Sequence, residues 1–334
     1  MRPALLVACY ALAVAWVLPL PLRRLSEPGL SPRLGLTAWL TAMISVLACV
    51  MAVMGLLARA AIAGWPAFAR TVCESVSAGT CPPGVYRSVA YELGLAGTTF
   101  LGGVVLIMLG WRYGRSMRRA SIRTRAHAEA ARIAGRPAWG GHLAGGGNAA
   151  FVLDAARPAA YCVPGRPPTI VLTTGALAIL DPQQLAAVLA HERAHLASRH
   201  HLLLAVTRSL AAVAPHVPLF ARGTGEVARL AEMRADDVAA RRGGRRTLLA
   251  ALLAMGSGAA GQPVPAAPLP AAPLQAAPVP AAWLGATGGV VAARVRRLAD
   301  PPARARRVCH GLTLAALTLA IAAASALVVA CSLG

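Results

Sequence analysis

Lysine is absent from the 334 residues, so arginine supplies all 33 basic side chains and, against 12 acids, a formal charge of +21. Aromatic residues make up only 4% of the chain. Single strands of nucleic acid are held by aromatics interleaved with basic groups, and duplexes by modules such as zinc fingers or helix-turn-helix units. Neither pattern occurs, and the seven cysteines show no zinc-finger spacing. No direct nucleic-acid partner is therefore expected. The arginines gather instead beside long apolar runs, where anionic lipid headgroups are the economical partner.

What the chain has in quantity is apolar surface, at 57% of residues. Runs 4–22, 36–64, 89–111 and 311–333 are each long enough to cross a hydrocarbon core of ~30 Å at ~1.5 Å per helical residue. The first has only Arg2 before it and Arg23-Arg24 directly after it, the reverse of a signal peptide's charge bias, and reads as a retained span. Arg23, Arg24 and Arg33 lie between spans one and two; Arg112, Arg115, Arg118, Arg119, Arg123 and Arg125 follow span three; Arg304, Arg306 and Arg307 precede span four. The positive-inside rule places all three clusters in the cytoplasm. The expected architecture is a mainly α, polytopic protein of the cell membrane with about four transmembrane helices. Its amino terminus and an outer loop 65–88 lie outside, a cytosolic domain with a small β element spans 112–310, and 311–334 forms the last helix and a short outer end. Cys73 and Cys81 fall in the outer loop, where a disulfide and two free thiols are both compatible with the spacing. Cys162 and Cys309 are expected to be packing residues.

The chemistry-bearing segment is His191-Glu192-Arg193-Ala194-His195. On a helix the two imidazoles of H-E-x-x-H share a face and can hold one Zn²⁺, leaving a position open for water, with Glu192 beside it as general base. Asp181-Pro182-Gln183-Gln184 is a helix start, with Asp at the N-cap, Pro at N1 and Gln at N3. A third protein ligand is needed, and after Asp181 the acids are Glu192, Glu226, Glu232, Asp236 and Asp237, then none until Asp300. Helical spacing puts Glu232 and Asp236 on one face, so Glu232 can bind the metal while Asp236 accepts a hydrogen bond from a ligand imidazole. Glu226, near Gly223 and Gly225, remains a weaker alternative at an expected helix start. His200, His201 and His216 are expected at polar surface or interface positions, and His127, His142 and His310 likewise. The apolar stretch 202–220 is expected to form one long buried or interfacial helix.

H-E-x-x-H followed by E-x-x-A-D resembles the gluzincin pattern of HtpX/Ste24-type membrane proteases and of BlaR/MecR-type antirepressor peptidases. Tyr161 to Gly165 and Thr169 to Leu177 look like these families' edge strand and the turn into the active-site helix. Arg294-Val295-Arg296-Arg297-Leu298 is similar to their downstream R-[IV]-x-R-L segment, and the likeness covers about residues 115 to 300. Thr169 to Thr173, rich in β-branched residues, suits a short exposed edge that could pair with an extended substrate. The resemblance implies a zinc metalloendopeptidase with one Zn²⁺ per chain and a protein substrate. In the antirepressor family that substrate is a cytosolic transcriptional repressor and the protease itself. Four residues follow Ala330, so a penicillin-binding sensor domain is not expected here. An HtpX-type quality-control protease and a non-enzymatic zinc-holding transducer are the competing readings. Gly140 to Asn148 and the Pro/Ala-rich Gln262 to Ala282 are expected to be irregular.

Overall fold

The computed structural model describes residues 2–78, 83–137, 149–165, 167–260 and 288–333. Cys81, His142 and the stretches 140–148 and 262–282, expected to be irregular, lie outside the described residues. The molecule is a mainly helical membrane protein with one small sheet, the class expected from its composition.

The chain opens with α1 (Arg2–Leu12), a π-helical turn at Ala13–Val17 and α2 (Pro19–Ser26). The two helical pieces bend by 44° at the break, because Pro19 lacks an N–H to donate and its ring crowds the preceding turn. Helices α3 (Pro32–Ala78) and α4 (Pro83–Ala134) are each far longer than a bilayer requires. Residues 65–78 and 83–88, within the expected outer loop, are thus helical extensions. Ala67, Ala69, Arg70 and Glu74 are good helix formers, and Pro83 occupies a first-turn position that proline favours. With α11 (Arg304–Leu333), three helices among the described residues are long and apolar enough to cross a membrane, or four if the bent pair is one span.

Strands β1 (Arg136–Pro137), β2 (Ala149–Leu153), β3 (Ala160–Val163) and β4 (Thr169–Thr173) form a sheet in the order β1-β2-β4-β3. The expectation of an exposed edge at Thr169 to Thr173 is corrected by this order: β4 runs parallel to β2 on one side and antiparallel to β3 on the other. All five residues of β4 are buried. Val171 packs with Ala128 and Ala131 of α4, and Ile170 and Leu172 pack on Leu189 of the metal-motif helix. An unbroken apolar strand covered on both faces is a central strand, and alternation would have marked an edge. Among the described residues the edges belong to β1 and β3.

After β4 come α5 (Thr174–Ile179), capped by the Thr173 hydroxyl, and α6 (Pro182–Ala197), whose Asp181 and Gln184 form the capping box read from the sequence. Helix α7 (His200–Val213) and helix α8 (Pro218–Gly243) replace the single helix expected over 202–220. Pro215 and Pro218 divide it, since neither can donate to the preceding turn. Helices α9 (Arg245–Ala260) and α10 (Gly288–Ala299) then close over α6 and α8 through Ala187, Ala190, Ala239, Leu248 and Leu298.

Helix α8 joins the two halves of the molecule. Its first turns put Leu219, Phe220, Val227 and Leu230 into the main apolar core, against Leu22 of α2, Trp39 and Met43 of α3, and Leu314 of α11. Gly223 allows this approach, because a Cβ there would lie 2.3 Å from the Met43 Cε and 3.1 Å from the Trp39 ring. Arg229 donates to the Ser26 carbonyl at 2.9 Å and the Glu27 carbonyl at 3.1 Å, fastening the turn between α2 and α3 onto α8. In that turn Gly29 has φ +61 and packs on Met233, a backbone conformation that side chains disfavour. Gly223→Val should therefore destabilise the protein by about 1–3 kcal/mol through overpacking, read as a lowered thermal midpoint in detergent, whereas Gly225→Ala, which faces open space, should not lower it.

Candidate metal centre

His191 and His195 lie one turn apart on α6, and Glu232 comes from the middle of α8, which packs directly against it. The His191 and His195 Nε2 atoms are 3.1 Å apart. Glu232 places Oε2 3.4 Å from the His191 Nε2 and Oε1 3.5 Å from the His195 Nε2. A tetrahedral zinc with bonds of about 2.0–2.1 Å separates its ligand atoms by about 3.3 Å. The two-nitrogen, one-oxygen set thus fits one such ion, and it is the one group of three potential ligands that converges among the described residues.

Around these three lies a ring of charged side chains that settles their ionisation. The His191 Nδ1, on the far edge of the ring from Glu232, is 3.1 Å from Oδ1 of Asp236. Asp236 is 1% exposed and is held by Arg294 through a two-pronged contact, Nε to Oδ2 at 2.8 Å and Nη2 to Oδ1 at 2.7 Å. The third guanidinium nitrogen, Nη1, sits 3.1 Å from Oε2 of Glu232. Burial alone would raise the Glu232 carboxyl, but His191, His195 and Arg294 outweigh it and hold the group at about 2. Asp236, also opposed by burial, is held well below the ordinary carboxylate range by Arg294 and His191. Burial opposes charge on His191 too, yet Asp236 and Glu232 raise it to about 10. Two ionised carboxylates face one arginine, and without a metal the proton on His191 supplies the second positive charge; a divalent cation between the imidazoles would take that proton's place.

His195 differs from its partner. Burial lowers it to about 3, and the ring behind it is another imidazole: the His195 Nδ1 is 3.0 Å from the Nδ1 of His200. His200, expected at a surface or interface, is 1% exposed, and burial lowers it to about 4. The cause of the difference is local. Arg199, between α6 and α7, has φ 50, the one positive-φ non-glycine residue among those described. This left-handed turn folds the first residue of α7 back onto α6, at a cost of about 1–2 kcal/mol. His201 lines the cleft described below, while His216 is exposed as expected.

Glu192 is buried beside the ligand set, and burial pushes its carboxyl up to about 7 against the pull of His191. The Cys162 thiol of β3 neighbours it, and burial raises that thiol well above its usual value. Cys162, read from sequence as packing, therefore lines the site. Glu226 belongs elsewhere: it lies within α8, two turns after its start, and pairs with Arg229 at 2.7 Å and Arg23 at 3.8 Å. The helix starts earlier than the glycines indicated, since Pro218 stands in its first turn.

The site opens into a cleft of 1670 Å³ bounded by Ser116 and Met117 of α4, Tyr161 and Cys162 of β3, and Leu202 and Ala205 of α7. That volume exceeds the ~300–1,000 Å³ of common small-molecule pockets. Among the described residues β3 pairs on one side only, with β4, and Ala160 to Cys162 line the cleft.

A helical H-E-x-x-H pair completed by a glutamate from a second helix, at the foot of a cleft with an open strand edge, fits a metallopeptidase site. Residues 124–221 match the model of peptidase family M48, a match that supports the same class. It takes in α6 and both histidines but stops at Ala221, before Glu232 and Arg294, so the geometry supplies the rest. No curated protein matches the chain.

Two residues of the centre carry little sequence signal: Arg294 lies in a segment to which the resemblance gives no role, and His200 is expected at a surface or interface. Wild-type protein should hold about one tightly bound Zn²⁺, and atomic absorption on His195→Ala and Glu232→Ala should show its loss. Full metal content in both would remove the assignment. Asp236→Ala should keep the ligands but weaken zinc by ~10 to 100-fold. Arg294→Met should cost about 3–5 kcal/mol of stability, because it leaves buried carboxylates without their counter-charge, measured by chemical denaturation in micelles.

Proposed function

We propose that the protein is an integral membrane zinc metalloendopeptidase that cuts protein substrates on the cytosolic side, in signalling, with a transcriptional repressor or the protease itself as substrate. The single observation that supports catalysis most directly is Glu192, buried beside the three converging ligands at the foot of the cleft. Zinc, when held by His191, His195 and Glu232, supplies Lewis acidity that activates water near neutral pH and polarises a peptide carbonyl. Glu192, whose carboxyl burial raises in the metal-free site, takes the proton of the attacking water and hands it to the leaving amine. Asp236 and Arg294 orient the ligand set. An extended substrate adds to the free edge of β3, which holds the scissile peptide along α6.

Cytosolic placement rests on the arginine clusters at the inner ends of α2, α4 and α11, which also favour anionic headgroups. One observation favours the HtpX-type alternative: the cleft extends along α4 and α7 as far as Ser116, Ser209 and Ala212, toward the apolar part of α4. A membrane-anchored substrate could enter there. A zinc-holding transducer without activity has no use for a buried glutamate at this place.

Glu192→Gln should retain zinc yet abolish proteolysis, so unchanged cleavage by purified variant would overturn the mechanism. Comparing new amino termini in cells carrying wild-type or Glu192→Gln protein separates the biological readings. Cleaved transcriptional regulators are the outcome expected here, whereas a broad set of membrane-protein fragments would establish quality control instead. A reporter fused after Ala120 should behave as cytoplasmic and one inserted near Ala78 as external; the opposite pattern would put the cleft outside and exclude a cytosolic repressor.

A further inference from the structure

The two ligand histidines are supported from behind by different chemistry. His191 has a carboxylate, Asp236, at its Nδ1, whereas His195 has the Nδ1 of His200 at 3.0 Å. The His195 and His200 rings meet edge to face, with centroids 4.8 Å apart and planes at 84°, so the contact is between ring nitrogens and not a stack. Two facing nitrogens of neutral imidazoles form a hydrogen bond only if one carries the proton and the other a lone pair.

We infer that His200 is a positioning residue of the metal centre: its unprotonated Nδ1 accepts the Nδ1–H of His195 and so fixes His195 as the tautomer whose Nε2 lone pair faces the ion. The inference rests on the reading of His195 as a metal ligand. The assignment of protons follows from the geometry. The His195 Nε2 faces the His191 Nε2 and Glu232, so it must be the free lone pair, and the ring proton must lie on Nδ1. His200 is then obliged to accept at Nδ1 and to carry its own proton on Nε2. That nitrogen is buried and has no hydrogen-bond partner among the described residues.

The backbone supports the same role. His200 reaches His195 only because Arg199 adopts φ 50, and non-glycine residues in that region persist where the surroundings over-determine them, characteristically at functional sites. The support is neutral, unlike the anionic support of Asp236. The centre thus acquires one carboxylate-backed and one imidazole-backed ligand, and the total negative charge around the ion stays at what Glu232, Asp236 and Arg294 set.

The test uses the full-length protein in detergent, with zinc affinity measured by competition against a chromophoric chelator and ligand geometry read from the visible spectrum of the Co²⁺-substituted form. His200→Leu keeps much of the volume but removes the acceptor, and should weaken zinc by ~10 to 100-fold and alter the cobalt spectrum. His200→Asn places a carbonyl oxygen near the position of Nδ1, and should restore both affinity and spectrum toward wild type. A role in packing alone predicts the reverse ranking, since leucine fills the buried site and asparagine adds a polar group. The inference is overturned if His200→Leu binds zinc as wild type does, or if His200→Asn is no better than His200→Leu while unfolding at the same temperature without metal. Should His200→Leu fail to fold, His200→Asn decides alone, its wild-type affinity and spectrum supporting the inference and their loss overturning it. Absence of zinc from the wild-type protein would instead overturn the metal-centre reading beneath it.

Discussion

Everything at the centre follows from burying two carboxylates one helical turn apart. Glu232 and Asp236 are both taken largely out of water on the inner face of α8, where an uncompensated charge would cost several kcal/mol. Arg294 divides one guanidinium between them, and its planar fork suits that task in a way a lysine ammonium would not. A chain without lysine has this geometry available wherever it places a cation. One arginine cannot neutralise two carboxylates, and the remaining negative charge is directed at the two imidazoles of α6, where a proton on His191 or a cation can meet it.

The same helix connects that balance to the membrane. The first half of α8 is embedded with α2, α3 and α11 in the main apolar core, and the second half carries Glu232 and Asp236. Arg229 and Arg297 tie the turn after α2 to the middle of α8 and to α10, the latter through the Gly29 carbonyl at 2.8 Å and Asp237 at 2.9 Å. The ligand glutamate is therefore a rigid extension of the span bundle, with no flexible linker between them. Proteins in which chemistry depends on fixed positions within a few tenths of an ångström gain from mounting the ligands on helices of this kind.

Much of this could be read from residue spacing because helices are local. The capping box at Asp181, the four-residue separation of the histidines and the E-x-x-A-D face of α8 each depend on neighbours within a turn or two. What could not be read depends on distant partners. The central place of β4 arises because β2 pairs with it across the intervening β3, although its unalternating Thr-Ile-Val-Leu-Thr composition was a usable sign of two buried faces. The division of 202–220 is signalled by Pro215 and Pro218, each of which favours a helix start and not its interior. His200 was hidden because nothing in an arginine at position 199 announces a left-handed backbone. Arg294 meets Asp236 across a separation of 58 residues, and no local pattern records such a contact.

That separation has a consequence for biosynthesis. The histidines, the glutamate and the aspartate are all polymerised before the arginine that neutralises the acids, which follows Asp236 by 58 positions. At ~5–20 residues per second of translation, the interval is roughly 3–12 s. For that time a nascent chain owns every metal-binding side chain but not the cation that permits their burial, and α10 is immediately followed by the last membrane helix. The acids can be buried with their counter-charge only once Arg294 has been made, after every other member of the centre.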